Sequence, residues 1–185
     1  MLAHGMDTDE TLAHRAAAGD SHAFAELIER HYARIYRFTL RVLGDAEEAA
    51  EVAQDVCVML PAKLARFRGD CGFTSWLYRV VVNAAHDARR RMSSRRRNEA
   101  LHAELEMLRR AGETARVRQL AWLRQALDAL PEDLRATAIL VCDEGLRHAA
   151  AGEILGVSEA TVSWRMHELR KRLRAMAAAE EEAVP

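Results

Sequence analysis

The chain has 185 residues, half of them hydrophobic and 30% charged, with 27 lysines and arginines against 28 aspartates and glutamates and a formal net charge of -1. That balance suits a soluble globular protein of one domain or two small ones. No apolar run approaches the length that spans a bilayer, and MLAHGMDTDE lacks a basic start leading into an apolar core, so a cytoplasmic chain with no membrane insertion is expected. Cys57, Cys71 and Cys142 are odd in number, far apart and without a C-x-x-C pair, and the eight histidines show no ligand spacing. Neither a disulfide framework nor a metal site is expected, and no cofactor. Prolines are few, and period-two alternation of β-branched residues is nearly absent, which predicts an all-helical fold.

In chain order, residues 1–9 read as a loose end, and a short helix is predicted from about Glu10 to Ala18. Gly19-Asp20-Ser21 then combines a C-terminal glycine with N-caps for a second helix, His22 to Leu43, whose buried side is Phe24, Leu27, Ile28, His31, Ile35, Phe38 and Val42. Gly44-Asp45 ends it and starts a third, Ala46 to about Arg66, with Glu47, Glu48, Glu51 and Asp55 toward one side and Val52, Val56 and Met59 toward another. Proline inside a helix costs about 3 kcal/mol or more, so a kink or break is expected near Leu60, before Pro61.

The segment Arg66 to Arg97 is the expected functional centre. Thr74 or Ser75 is a candidate N-cap for a helix starting near Trp76, with Leu77, Val80, Val81, Ala84 and Ala88 on its apolar face and Arg79, Asn83, Asp87 and Arg90 on its polar face. Phe67, Phe73 and Trp76 flank the loop from Arg68 to Gly72, which places aromatic faces beside guanidiniums, as an unstacked nucleic-acid strand requires. Aromatics at helix junctions also commonly pack inward, and Phe67 and Phe73 are open to that reading. Arg89, Arg90, Arg91, Arg95, Arg96 and Arg97 concentrate basic charge in a near-neutral chain, which points to a polyanionic partner.

Residues 98–116 are mixed in charge and weakly amphipathic, a linker of partial helix interrupted by Gly112. A second domain is expected from Val117 to about Met176, with Leu120, Leu123, Leu127 and Leu130 on one face and a new helix start at Pro131. A helix from about Leu146 to Leu155, the turn Gly156-Val157-Ser158 and a last helix make a helix-turn-helix pattern. Ser158 is the expected N-cap, Val162, Met166, Leu169 and Leu173 the buried stripe, and Trp164, His167, Lys171 and Arg174 the opposite face. The acidic end AAAEEEAVP, residues 177–185, has no packing face and is expected to be disordered or a frayed helix.

DAEEAAEVAQDV (Asp45 to Val56), RFRGD (Arg66 to Asp70) and F-x-x-WLYR-x-x-x-N (Phe73 to Asn83) stand at a fixed spacing that resembles the second conserved region of extracytoplasmic-function (ECF) sigma factors, in the sigma-70 family of bacterial RNA polymerase. ALDALPEDLRATAILVCDEGL, followed by the helix-turn-helix, resembles the fourth conserved region of the same family. The resemblance implies two small helical domains, 10–97 and 117–176, and a promoter-specificity subunit with no catalytic residues of its own. It implies core-polymerase contacts at Glu48, Glu51, Gln54, Asp55 and Val56, on a coiled coil of the largest subunit. It implies capture of the opened minus-10 strand by Phe67, Arg68, Phe73, Trp76, Arg79, Asn83 and Arg90. Ser163, Trp164 and Arg165 would meet minus-35 base edges or their margin, and Arg170, Lys171 and Arg174 the phosphates, with Ser158, Thr161 and His167 also at the minus-35 DNA. The polymerase flap and an anti-sigma protein are further implied partners. The chain departs from the family at Cys57 and Pro61, usually phenylalanine and tryptophan, at Ala149 to Gly152, usually like Tyr-Glu-Glu-Ile-Ala, and at Ser163, frequently lysine. The competing classes are a sigma-like decoy that binds an anti-sigma protein without DNA, and a one-component repressor, which would leave the first domain without a task.

Overall fold

The structure is a computed structural model that describes residues 7–107, 122–123 and 125–183, with side chains described outside 93–107 and 180–183. The described residues form helices and no strand. They divide into two compact units, 7–85 with 153–156, and the described residues of 86–152 with 157–183.

The first unit holds α1 (Asp9–Ala17), α2 (Ser21–Leu43), α3 (Ala46–Leu64) and the start of α4 (Phe73–Met107). Short polar side chains cap the first three as a helix N-terminus requires: Thr8 Oγ1 accepts from Thr11 N, Asp20 Oδ1 from His22 N and Ala23 N, and Asp45 Oδ1 from Glu47 N and Glu48 N. Gly44, at φ 71°, takes the left-handed conformation that ends α2. Leu12, Leu27, Ile35, Phe38, Val42, Val56, Leu60, Leu64, Phe73 and Val81 supply the core.

Three local expectations are corrected. Helix α3 does not break at Leu60; it runs through exposed Pro61 to Leu64, with Leu60 and Leu64 buried on either side of the proline. Burial of two leucines, each contributing roughly 1.5–3 kcal/mol, outweighs the hydrogen bond that proline removes. Helix α4 starts at Phe73 rather than near Trp76, because its cap is neither Thr74 nor Ser75: Oε1 of Glu10 in α1 accepts from Phe73 N at 3.0 Å. The last helix continues to Ala183, well into the acidic end, where alanine and glutamate are strong helix formers.

In the second unit, α5 (Glu132–Ala138) passes into a π-helical turn, Ile139–Asp143, and is followed by α6 (His148–Leu155), whose last residues from Glu153 are grouped with the first unit, and by α7 (Glu159–Ala183). Residues 125–129 are also helical, with Ala126 and Leu130 buried but Leu123 exposed; Leu120, Val117 and Gly112 lie outside the described residues. Residues 98–107 of the expected linker continue α4.

Candidate polymerase and nucleic-acid interfaces

The outward side of α3 is set by its period. Glu51, Gln54 and Asp55 are exposed and Glu48 half-buried, one above another at three- and four-residue spacing. Val56 lies off that stripe and is buried to 0% exposure, so it is core and not a contact. The next outward position is Val58, 79% exposed, a large apolar side chain in water that sequence reasoning missed. Its signal was present: it follows Gln54 and Asp55 by four and three residues. Cys57 is half-buried, and burial pushes its thiol pKa up, so it is a packing residue with little thiolate character.

The aromatic loop closes on itself. Phe67 packs on Phe73 (ring centroids 5.9 Å, near perpendicular) and on Trp76 (5.3 Å), and His14 and His31 pack on Phe67 and Phe73. Phe67 and Phe73 are 7% and 0% exposed, so neither offers a face to a base; mutual edge-on packing and burial claim them for the core. His31 is held by Asp9, whose Oδ2 lies 2.7 Å from its Nε2 while Oδ1 accepts from Arg30 at 2.9 Å. Burial alone would raise the Asp9 pKa, but the Arg30 and His31 contacts outweigh it and the net shift is downward. What stays outside in the first unit is Arg68 in the loop and one stripe on α4, half-buried Trp76 and then exposed Arg79 and Asn83; Arg90, in the second unit, is exposed. Arg90 pairs with Asp87 at 2.5 Å; the side chains of Arg95, Arg96 and Arg97 lie outside the described residues.

In the second unit, which includes α4 from His86 onward, Arg89 lies 3.3 Å from Asp128 and His86 Nδ1 lies 3.1 Å from Glu132. Burial lowers the pKa of His86 despite the Glu132 charge, which favours the neutral imidazole. Arg135, only 2% exposed, donates to the carbonyls of Leu127, Asp128 and Leu130 at 2.6, 2.7 and 2.9 Å and so closes the end of the helical residues 125–129. Burial, with Arg89 nearby, pulls its pKa down to about 10, and it stays charged at neutral pH.

The recognition-type helix α7 begins with the expected cap: Ser158 Oγ accepts from Thr161 N at 3.1 Å and lies 2.8 Å from the Thr161 hydroxyl. Gly156 makes the turn with φ 67°. Val162, Met166 and Leu169 are buried, while Ser163, Trp164, His167, Arg170, Lys171 and Arg174 are exposed, Trp164 to 60%. Arg165 does not join them. Its side chain is 15% exposed and its Nε lies 3.3 Å from Asp133 of α5, an attachment within the unit rather than an outward contact.

Residues 27–96 match Sigma-70 region 2 and residues 120–173 match Sigma-70, region 4. Over 167 residues the chain is 33% identical to the ECF RNA polymerase sigma factor SigM of Mycobacterium tuberculosis, covering 90% of this chain and 83% of that one. The chain belongs to the ECF sigma factors of the sigma-70 family. Such factors act in transcription initiation and are not enzymes. This sigma factor is also 30% identical over 178 residues to the RNA polymerase sigma-H factor of Pseudomonas aeruginosa, covering 90% and 92% of the two chains. Among solved structures it is similar to CnrH in complex with the cytosolic domain of CnrY, with a TM-score of 0.70, 25% identity and coverage of 94% and 99%. No helix of its described residues is long and apolar enough to cross a membrane. Glu10, Val58, Arg135 and His148 are residues of this sigma factor that its sequence did not single out; Glu10 and His148 act through contacts distant in sequence.

Proposed function

We propose that the sigma factor binds core polymerase through the α3 stripe Glu48, Glu51, Gln54, Asp55 and Val58, and reads minus-35 duplex with the outward face of α7. Trp76, Arg79, Asn83 and Arg90 hold the opened minus-10 strand, with Arg68 beside them. The observation that carries this reading is α7. One side is buried through Val162, Met166 and Leu169, and the other presents a serine, an exposed tryptophan and three cations in the order a groove-reading helix needs. The family itself supports an anti-sigma partner, and the likeness to CnrH, solved in complex with the cytosolic domain of CnrY, supports a protein partner for this chain also.

With Phe67 and Phe73 in the core, Trp76 is the one aromatic of that cluster left to stack on a base. Stacking contributes about 1–3 kcal/mol per base, against a few kcal/mol to extrude one. The free chain therefore melts no promoter by itself, and opening belongs to the assembled polymerase.

The test is run-off transcription with the purified chain and sigma-free core polymerase on fragmented genomic DNA, reading the RNA 5' ends. Discrete starts sharing two upstream motifs are the expected outcome. No starts from a folded chain would count against this reading and in favour of a decoy. Asn83→Ala is expected to weaken minus-10 selectivity while leaving polymerase binding intact; unchanged selectivity would remove Asn83 from the strand-holding stripe.

A further inference from the structure

One hydrogen bond ties the two helices of the helix-turn-helix together at its surface. Nδ1 of His148, the first residue of α6, and Oγ of Ser163 in α7 lie 2.9 Å apart. The two are fifteen positions apart in sequence, so the turn, not helical spacing, brings them together. His148 is half-buried and Ser163 exposed.

A serine hydroxyl can donate or accept and rotates to suit, so alone it discriminates poorly among base edges. With the imidazole proton on Nε2, Nδ1 accepts from the hydroxyl, so the serine's proton is committed and its lone pairs remain as acceptors. In a helix-turn-helix the first helix crosses the DNA backbone while the second enters the major groove. A residue that opens the first helix and touches the second stands between phosphate and base.

We propose that His148 is a specificity-positioning residue: its Nε2 meets a backbone phosphate while its Nδ1 holds Ser163, so that Ser163 addresses one base pair with a fixed hydrogen-bond polarity. This rests on the minus-35 reading of α7 above. The serine stands where the family frequently has lysine, so the pair is a feature of this chain's own promoter choice.

The experiment uses full-length chain with core polymerase on a promoter library randomised across the minus-35 element, with transcripts counted by sequencing. His148→Ala and Ser163→Ala are expected to flatten preference at the same base pair by about fivefold, the weight of one hydrogen bond, and the double variant no further. His148→Asn restores a polar atom near the Nδ1 position but has nothing at Nε2. It is expected to keep the base preference while yield falls at every sequence, and it keeps the test decisive if the alanine variant folds poorly. Preference lost at different base pairs, or a uniform loss in His148→Ala with the wild-type profile intact, would overturn the proposal. A wild-type chain that yields no shared minus-35 motif would instead overturn the sigma reading of α7, and this inference with it.

Discussion

Glu10 shows how one carboxylate can set a helix boundary. Its Oε1 accepts from the amide of Phe73, sixty-three positions later, and that bond is the largest cause of its lowered pKa. Asp9 beside it, which meets Arg30 and His31, is also lowered. Both groups therefore stabilise the fold when ionised. The contribution is complete above their ordinary values of 4.5 and 3.8, and is lost as pH falls below those values through the lower folded-state ones. Glu10→Ala is expected to cost about 1 kcal/mol, the usual weight of an N-cap. It should also flatten the acid limb of stability. Urea denaturation followed by circular dichroism at pH 7 and pH 3.5 checks both; a variant whose deficit is the same at the two pH values would refute the capping role.

At the scale of the element, the helix-turn-helix accounts for one departure from the family, Gly152. Ala151 and Gly152 lie in the stretch Ala149 to Gly152 that departs from the family. Ala151 is fully buried, and a Cβ at Gly152 would lie 2.7 Å from the carbonyl oxygen of Val157 and 3.4 Å from Glu159 N. That oxygen is backbone and cannot swing aside. Alanine would gain about 1 kcal/mol of helix propensity, but overpacking costs typically 1–3 kcal/mol. Gly152→Ala is thus expected to lower stability by about 1 kcal/mol, and the glycine is a requirement of this close turn rather than a defect. Hydrogen exchange read by mass spectrometry should show faster exchange over residues 156–162 in the variant; slower exchange there would mean that propensity wins. Arg135 does similar work nearby, binding three carbonyls at the end of the preceding helix.

At the scale of the molecule, the proposed contacts distribute over helices with separate tasks, so they can be damaged separately. Val58 is 79% exposed and sits beside Asp55 on the proposed polymerase stripe, where association would bury it. Val58→Asp removes that gain without touching the core. It is expected to weaken core-polymerase binding by roughly tenfold, since burying a valine contributes about 1.5 kcal/mol, with thermal stability unchanged. Titration of core polymerase with labelled chain measures it, and equal affinity would place Val58 outside the interface.

The all-helical class, the caps at Asp20, Asp45 and Ser158, the buried stripe of α7 and the two family regions were legible from sequence because each depends on neighbours within a turn or on a fixed local spacing. Side chains that fit either a core or a surface were not. Phe67 and Phe73 could have faced a base, Arg165 a base edge in the groove and Val56 a partner; each was claimed by groups packed against it through the fold. The start of α4 at Phe73, the closing of 125–129 by Arg135 and the pairing of His148 with Ser163 likewise depend on partners brought close by folding. Periodicity tells which residues share a face, but only tertiary packing decides whether that face meets water or another helix, because burial is a property of the neighbours as much as of the residue.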